Sequence, residues 1–184
     1  MDAVAVMASR ANDSGVPALS PNKLQTDWLT WVFLTMEIKK DNRLAAFKRL
    51  EHLLYGMNYE VWFNLYGPLD PTLDLEQALK RHVSKTAQVS DISPSSPEEA
   101  KAEIMSMLLY EGDLGTGPIN LDDKYEEVAS LMNQVLSSIT MDKAEQVTGF
   151  SFRKGHPAYP VFWDFSYDIH SNGKRWILIG SSSD

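Results

Sequence analysis

Three polar residues near the C-terminus, Asp164, Asp168 and His170, have the side chains that acid–base catalysis or metal binding requires. Because their positions in the sequence differ by even numbers, they share one face of the strand that this region predicts. Asp164 and Asp168 then stand ~13 Å apart, too far for a carboxylate pair or a shared metal. Asp168 and His170, ~6.6 Å apart, could ligate one ion with His156 as a third ligand.

Arg175 argues against such a site. In the predicted hairpin it lies opposite His170 and diagonal to Asp168, so the acid already has a cationic partner. The glycines at 112–117 lack the order of a dinucleotide fingerprint or a P-loop, and no serine stands in a nucleophile-elbow context. We therefore expect no catalytic residue, metal or cofactor. An enzyme with an unrecognised polar site at Asp164, Asp168 and His170 stays as an alternative.

The hairpin itself is the clearest structural signal. From Val161 to Ile169 every second residue is apolar, which is typical of a strand with one buried face. Asn172-Gly173 then suits the positive φ values of a two-residue type I′ turn. The register that follows pairs Ile169 with Trp176, Tyr167 with Leu178, and Phe165 with Gly180.

Helical signals fill the chain before the hairpin. Apolar residues cover most of a predicted helix at 21–40, and further helices are predicted after Asp41, after Asp70-Pro71, after the Ser96–Glu99 capping box and at 121–140. Segment 59–66 fits both helical and strand spacing, and we favour a helix. With 146–153 as a third strand, the sequence predicts an α+β fold: five to six helices followed by a C-terminal three-stranded antiparallel β-meander packed on the helices.

The predicted organisation is a flexible N-terminal tail at 1–19 followed by a single α+β domain at 20–184. Gly15 and Pro17 interrupt the tail, which has no apolar periodicity. Residues 84–96 are rich in serine and contain Pro94, which predicts a connector within the domain.

The composition narrows the compartment and the class. There is no cysteine, which excludes disulfides and thiolate chemistry and fits a reducing compartment. The N-terminus has an acid at position 2 and does not resemble a secretory signal. No apolar run approaches the ~20 residues that span a bilayer. We expect a cytoplasmic protein with no membrane association.

The charge is unevenly distributed. The net charge is −8, and residues 91–127 hold 10 acids against two lysines, so the whole excess lies in this segment. This balance excludes nucleic acid as the natural partner and favours a basic protein surface. The predicted partner-binding residues are Glu111, Asp113, Asp122, Asp123, Glu126 and Glu127.

These observations favour a non-enzymatic protein-binding module, most concretely a small acidic inhibitor or immunity-type protein that masks a basic site on a partner. A structural or adaptor subunit that uses the apolar helix at 21–40 is a further alternative. The sequence leaves the oligomeric state open.

Deleting residues 1–19 should leave the thermal unfolding midpoint unchanged within error, because this segment has no periodic apolar pattern that would pack on a core. Circular dichroism melts of the full and shortened chains test this. A large loss of stability would show that the segment packs.

Overall fold

The computed structural model describes residues 41–184, so the predicted tail at 1–19 and the predicted helix at 21–40 lie outside the described residues. The described part contains, in chain order, the elements α1 (Ala45–Leu54), β1 (Gly56–Met57), β2 (Glu60–Leu69), α2 (Leu75–His82), β3 (Gln88–Ser95), α3 (Pro97–Leu108), β4 (Gly117–Pro118), α4 (Tyr125–Ser138), β5 (Gln146–Lys154), β6 (Asp164–Ser171) and β7 (Lys174–Ser183). Short 3₁₀ turns at Asp122–Lys124 and Met141–Lys143 flank α4.

Five strands form one antiparallel sheet in the order β2-β7-β6-β5-β3, and β1 pairs with β4 in a separate two-stranded sheet. The fold is mixed α+β, but the predicted arrangement of five to six helices followed by a three-stranded meander is wrong. Four helices are present in residues 41–184, and two strands of the large sheet come from the first half of the chain. The meander of β5, β6 and β7 is therefore only its middle.

Segment 59–66 was predicted as a helix, but its residues from Glu60 onward belong to strand β2. Its residues pair with β7, from Glu60 opposite Ser183 to Tyr66 opposite Ile177. Val61 and Phe63 are buried on one face of the strand. Trp62, on the other face, packs against a separate hydrophobic core that includes Ile177 and Ile179. Both periodicities fitted the sequence, and pairing with a strand more than 100 residues away decides between them.

The predicted connector at 84–96 contains strand β3, which pairs with β5 at the sheet edge. An edge strand tolerates proline and polar residues, because one of its sides needs no hydrogen-bonding partner. Pro94 lies opposite Thr148 in this edge position. The serine-rich composition thus reflects an edge strand rather than a linker.

Several local predictions are confirmed. The Ser96–Glu99 capping box starts α3, and both of its hydrogen bonds are present. The hairpin has the predicted register, with positive φ at Asn172 and Gly173. Helix α2, by contrast, begins at Leu75 rather than after Pro71. Its cap is Asp74, whose side chain accepts from the Gln77 amide.

Helices cover both faces of the sheet. Helices α1, α3 and α4 pack on one face, where an aromatic cluster includes Phe47, Phe63 and Phe165. Helix α2 packs on the other face against Ile177 and Ile179. The predicted polar face of β6 is therefore covered, and Ser166 and Asp168 on it are buried. Within residues 41–184, no helix combines the length and the apolar character needed to cross a bilayer.

Gly180 of β7 should be hard to replace. An added Cβ would come 2.8 Å from Cδ1 of Phe63 and would also meet the Phe165 ring. Gly180→Ala should lower the free energy of unfolding by ~1–3 kcal/mol through overpacking. Urea denaturation measures the change.

Gly149 of β5 offers the matched control, since its added Cβ would lie 3.5 Å from the nearest atom, in the Tyr167 ring. Gly149→Ala should be neutral or stabilising by up to ~1 kcal/mol, because alanine loses less backbone entropy than glycine. Equal effects of the two substitutions would show that aromatic packing does not constrain position 180.

Candidate functional site

The polar residues of β6 do not form an open site. Arg175 donates from Nε and Nη2 to the two carboxylate oxygens of Asp168, each at 2.7 Å, and from Nη1 to the carbonyl oxygen of Leu73. Both side chains are almost fully buried under α2. The predicted pairing of these residues is confirmed, and its burial makes it an interior structural contact.

The other members of the catalytic alternative lie apart. His170 Nε2 is 3.5 Å from Asp168 Oδ1, so it adds a third polar group to the same interior contact. Asp164 lines a different cleft, between β5 and β6. His156 lies in the loop between these strands with Nδ1 3.0 Å from the Ala158 amide nitrogen, and burial lowers its pKa. Among residues 41–184 no group of three such side chains is placed to hold a metal.

The predicted partner-binding acids lie around the small β1–β4 sheet. Met57 pairs with Gly117 in this sheet, and Glu111 lines a shallow pocket beside both. The Lys124 ammonium donates to the carbonyl oxygens of Leu53 and Ile119, which ties the start of α4 to the same region. Asp122 and Asp123 precede this lysine and Glu126 follows it. The structure therefore brings the acids of the loop and of the α4 start to one part of the surface.

Large apolar side chains are exposed among these acids. Nine large hydrophobic residues are exposed in the described part of the chain, and five of them lie in or beside the β1–β4 sheet, the 111–119 loop and the start of α4. The five apolar residues are Tyr55, Met57, Leu114, Ile119 and Tyr125. We call them, together with the acids Glu111, Asp113, Asp122, Asp123 and Glu126, the acid-rimmed surface.

Two of the predicted acids have partners within the protein. Arg49 of α1 donates to both carboxylate oxygens of Glu127, at 2.7 and 3.1 Å, and this hydrogen bond lowers the pKa of Glu127. We therefore leave Glu127 outside the acid-rimmed surface. A hydrogen bond from Tyr110 to Asp113 raises the pKa of Tyr110. Glu111, Asp122, Asp123 and Glu126 make no hydrogen bond or ion pair within residues 41–184.

The two lysines of the acidic segment do not pair with these acids. Lys101 forms an ion pair with Asp142, at 2.6 Å. Lys124 uses its N–H groups on the two backbone carbonyls. The negative charge of the surface is consequently not cancelled by side-chain pairing.

Comparisons of the chain with models of protein families, with curated proteins and with solved structures find no match. The function is therefore inferred from the residues and their arrangement.

The apolar half of the acid-rimmed surface was missed by the sequence analysis. Tyr125 lies at helical spacing from Val128, Met132 and Val135, which predicts an inward stripe on α4, but Tyr125 is exposed whereas the other three are buried. Met57 lies between a glycine and an asparagine, and Ile119 lies between a proline and an asparagine. An isolated large apolar residue in a turn-rich segment is the signal that could have indicated them.

Removing one partner of the buried ion pair should be costly. Arg175→Met leaves the Asp168 carboxylate in the interior without its cation and should lower the free energy of unfolding by ~3–5 kcal/mol. The double variant Asp168→Met/Arg175→Met removes both charges and should recover most of that loss. Urea denaturation compares them. A double variant as unstable as the single one would mean that the pair stabilises the fold beyond its own charge balance.

Proposed function

We propose that this protein is a non-enzymatic binding module, a small acidic inhibitor or immunity-type protein, and that its acid-rimmed surface masks a basic site on a partner protein. The observation that carries this proposal is the grouping of exposed apolar side chains beside acids of the one segment that holds the excess negative charge. Either feature alone would be ordinary.

The combination matches the anatomy of a protein interface. Interfaces have a centre of large apolar and aromatic side chains and a polar rim that stays in contact with solvent. Tyr55, Met57 and Ile119 supply the apolar centre, and the central side chains of an interface provide most of its binding energy. A merely solvated acidic face would not need these exposed apolar groups, which lose favourable burial as long as nothing covers them.

Charge complementarity identifies the class of partner. Unpaired carboxylates at Glu111, Asp122, Asp123 and Glu126 create a local negative potential that attracts a positively charged surface and repels an acidic one. Arg- and Lys-rich sites on proteins, such as substrate-binding sites for anions, have the complementary potential. The absence of cysteine supports a location in the cytoplasm, where a reducing environment prevails.

The alternative hypothesis, an enzyme with its site at Asp164, Asp168 and His170, receives less support. Asp168 is paired with Arg175 in the interior, and Asp164 lies in a separate cleft. These residues therefore do not face one substrate.

Neutralising the acids of the surface should slow association. The triple variant Asp122→Asn/Asp123→Asn/Glu126→Gln should lower the association rate constant about tenfold or more at low salt, because electrostatic steering is lost. Full-length wild-type protein is first used to recover the partner from the source cell, and binding kinetics are then measured at several salt concentrations. The wild-type association rate should fall as the salt concentration rises, and that of the variant should change less.

A matched control is available. Glu60→Gln/Glu98→Gln/Asp184→Asn removes three exposed negative charges outside the acid-rimmed surface, and it should bind like the wild type apart from a small long-range effect. Met57→Ser/Ile119→Ser should instead raise the dissociation rate, since these residues act after encounter. A partner that binds both triple variants equally well would contradict the proposal.

A further inference from the structure

Strands β5 and β6 pair over only half of their length. Their register runs from Gln146 opposite His170 to Gly149 opposite Tyr167 and stops there. Beyond this point β5 stays paired with β3 on its other side, up to Lys154 opposite Gln88. The first residues of β6 pair only with β7. The sheet therefore splits into two parts, and a wedge-shaped gap opens between β5 and β6.

A cavity of about 160 Å³ occupies this gap. It is lined by three acidic residues and three serine residues from β3, α3, β5 and β6, together with glycine and aromatic residues. The polar lining residues are Asp91, Glu103, Asp164, Ser93, Ser151 and Ser166. Among the described residues that line the cavity, none is lysine, arginine or histidine. We call this cavity the interstrand cleft.

One hydroxyl group of the interstrand cleft has no partner. Ser166 is 3% exposed, and its Oγ atom is buried without a hydrogen bond to any residue that the structure describes. Buried hydroxyl groups in folded proteins are almost always hydrogen-bonded, because an unsatisfied one costs free energy. The Ser166 hydroxyl therefore remains available to a hydrogen-bonding group in the cleft.

Tyr167 and Glu103 form a preorganised pair at the cleft. The Tyr167 hydroxyl donates to the Glu103 carboxylate across the gap between β6 and α3. The pKa of Tyr167 is raised mainly by burial and, to a smaller extent, by the Glu103 carboxylate. Its hydroxyl therefore remains a donor throughout the physiological pH range. Glu103 is held in place, and its remaining lone pairs can accept further hydrogen bonds.

We propose that the interstrand cleft binds an ammonium or guanidinium group. Such a cation complements the three carboxyl groups, and its several N–H donors match an oxygen lining that is rich in acceptors. The size is also suitable, since a cavity of roughly 150 Å³ holds a benzene-sized molecule, whereas sites for larger ligands occupy roughly 300–1,000 Å³. A bare metal ion fits less well, because residues 41–184 contain no group of three side chains placed to hold one.

The cation has two conceivable sources with the same chemistry: a free small amine or guanidine, or an arginine or lysine side chain of a partner protein. The interstrand cleft shares no residue with the acid-rimmed surface. The proposal therefore stands independently of the proposed function.

The direct test is a titration of the full chain, labelled with nitrogen-15, with ethylguanidinium, followed by amide chemical shifts. The amides of residues 149–151 and 164–167 should shift in a saturable manner. Ethylurea, which has nearly the same shape but no charge, is the matched ligand control and should cause much smaller shifts. Equal responses to both compounds, responses confined to other residues, or no saturation would overturn the proposal.

Variants of the lining residues sharpen this test. Asp91→Asn, Glu103→Gln and Asp164→Asn should each weaken ethylguanidinium binding by about fivefold or more, as expected for the loss of a charge-assisted hydrogen bond. Glu98→Gln removes one charge from the same helix as Glu103 but lies outside the cleft, so binding should stay unchanged. If Glu98→Gln weakened binding equally, the binding would be explained by nonspecific charge attraction, and the proposal would be overturned.

Ser166→Ala separates a binding role from a structural role. Without ligand its thermal midpoint should be unchanged or higher, since an unsatisfied buried hydroxyl is removed. Its affinity for ethylguanidinium should nevertheless fall. A variant that binds like the wild type would show that only water satisfies this hydroxyl, which would count against the proposal.

Peptides distinguish the two sources. A short peptide with one central arginine is compared with free ethylguanidinium and with the same peptide containing citrulline. Tighter binding of the arginine peptide identifies a side chain of a partner protein, and equal or weaker binding identifies a free small cation. Either result supports the cleft as a cation site, provided that the citrulline peptide does not bind. If the citrulline peptide binds equally well, the cation is not what the cleft recognises.

Discussion

Strand β7 is the constraint on which the rest of the structure depends. It is hydrogen-bonded along both edges, to β2 and to β6, and its central residues Ile177, Leu178 and Ile179 are fully buried. A strand that is covered on both faces needs apolar side chains pointing in both directions, which explains the continuous apolar run at this point of the sequence. Helices from both halves of the described chain pack around it, and β7 contributes Leu178 to one hydrophobic core and Ile177 and Ile179 to the other.

The buried ion pair follows from the same geometry. Helix α2 covers the sheet face that carries Asp168 and Arg175, and the two charges can enter this interior only as a bidentate pair with a further hydrogen bond to Leu73. The interaction balances the cost of removing both charges from water rather than adding much net stability. It also prevents Asp168 from acting on a ligand. A polar residue on a strand thus turns out to be structural.

The two candidate binding features lie where regular structure is interrupted. The acid-rimmed surface is built on a two-residue ladder and its flanking loops, and the interstrand cleft lies where β5 leaves β6 to follow β3. Both features border on packed helices and strands, while their polar groups face solvent or the cleft. Their shared negative character is the basis of both proposals, in which a cationic group is the binding partner, although each feature supports its proposal through different residues.

The local sequence determined those features that depend on neighbouring residues: the Asn172-Gly173 turn and its register, the capping box of α3, and the inward stripe of α4 beyond Tyr125. The acidic segment could likewise be found from the sequence. Tertiary structure alone decided that 59–66 and 88–95 are strands, because the partners that pair with them are distant in the chain. It also decided the burial of Asp168, the exposure of Met57 and Ile119, and the splitting of β5 from β6, since each depends on which elements pack together.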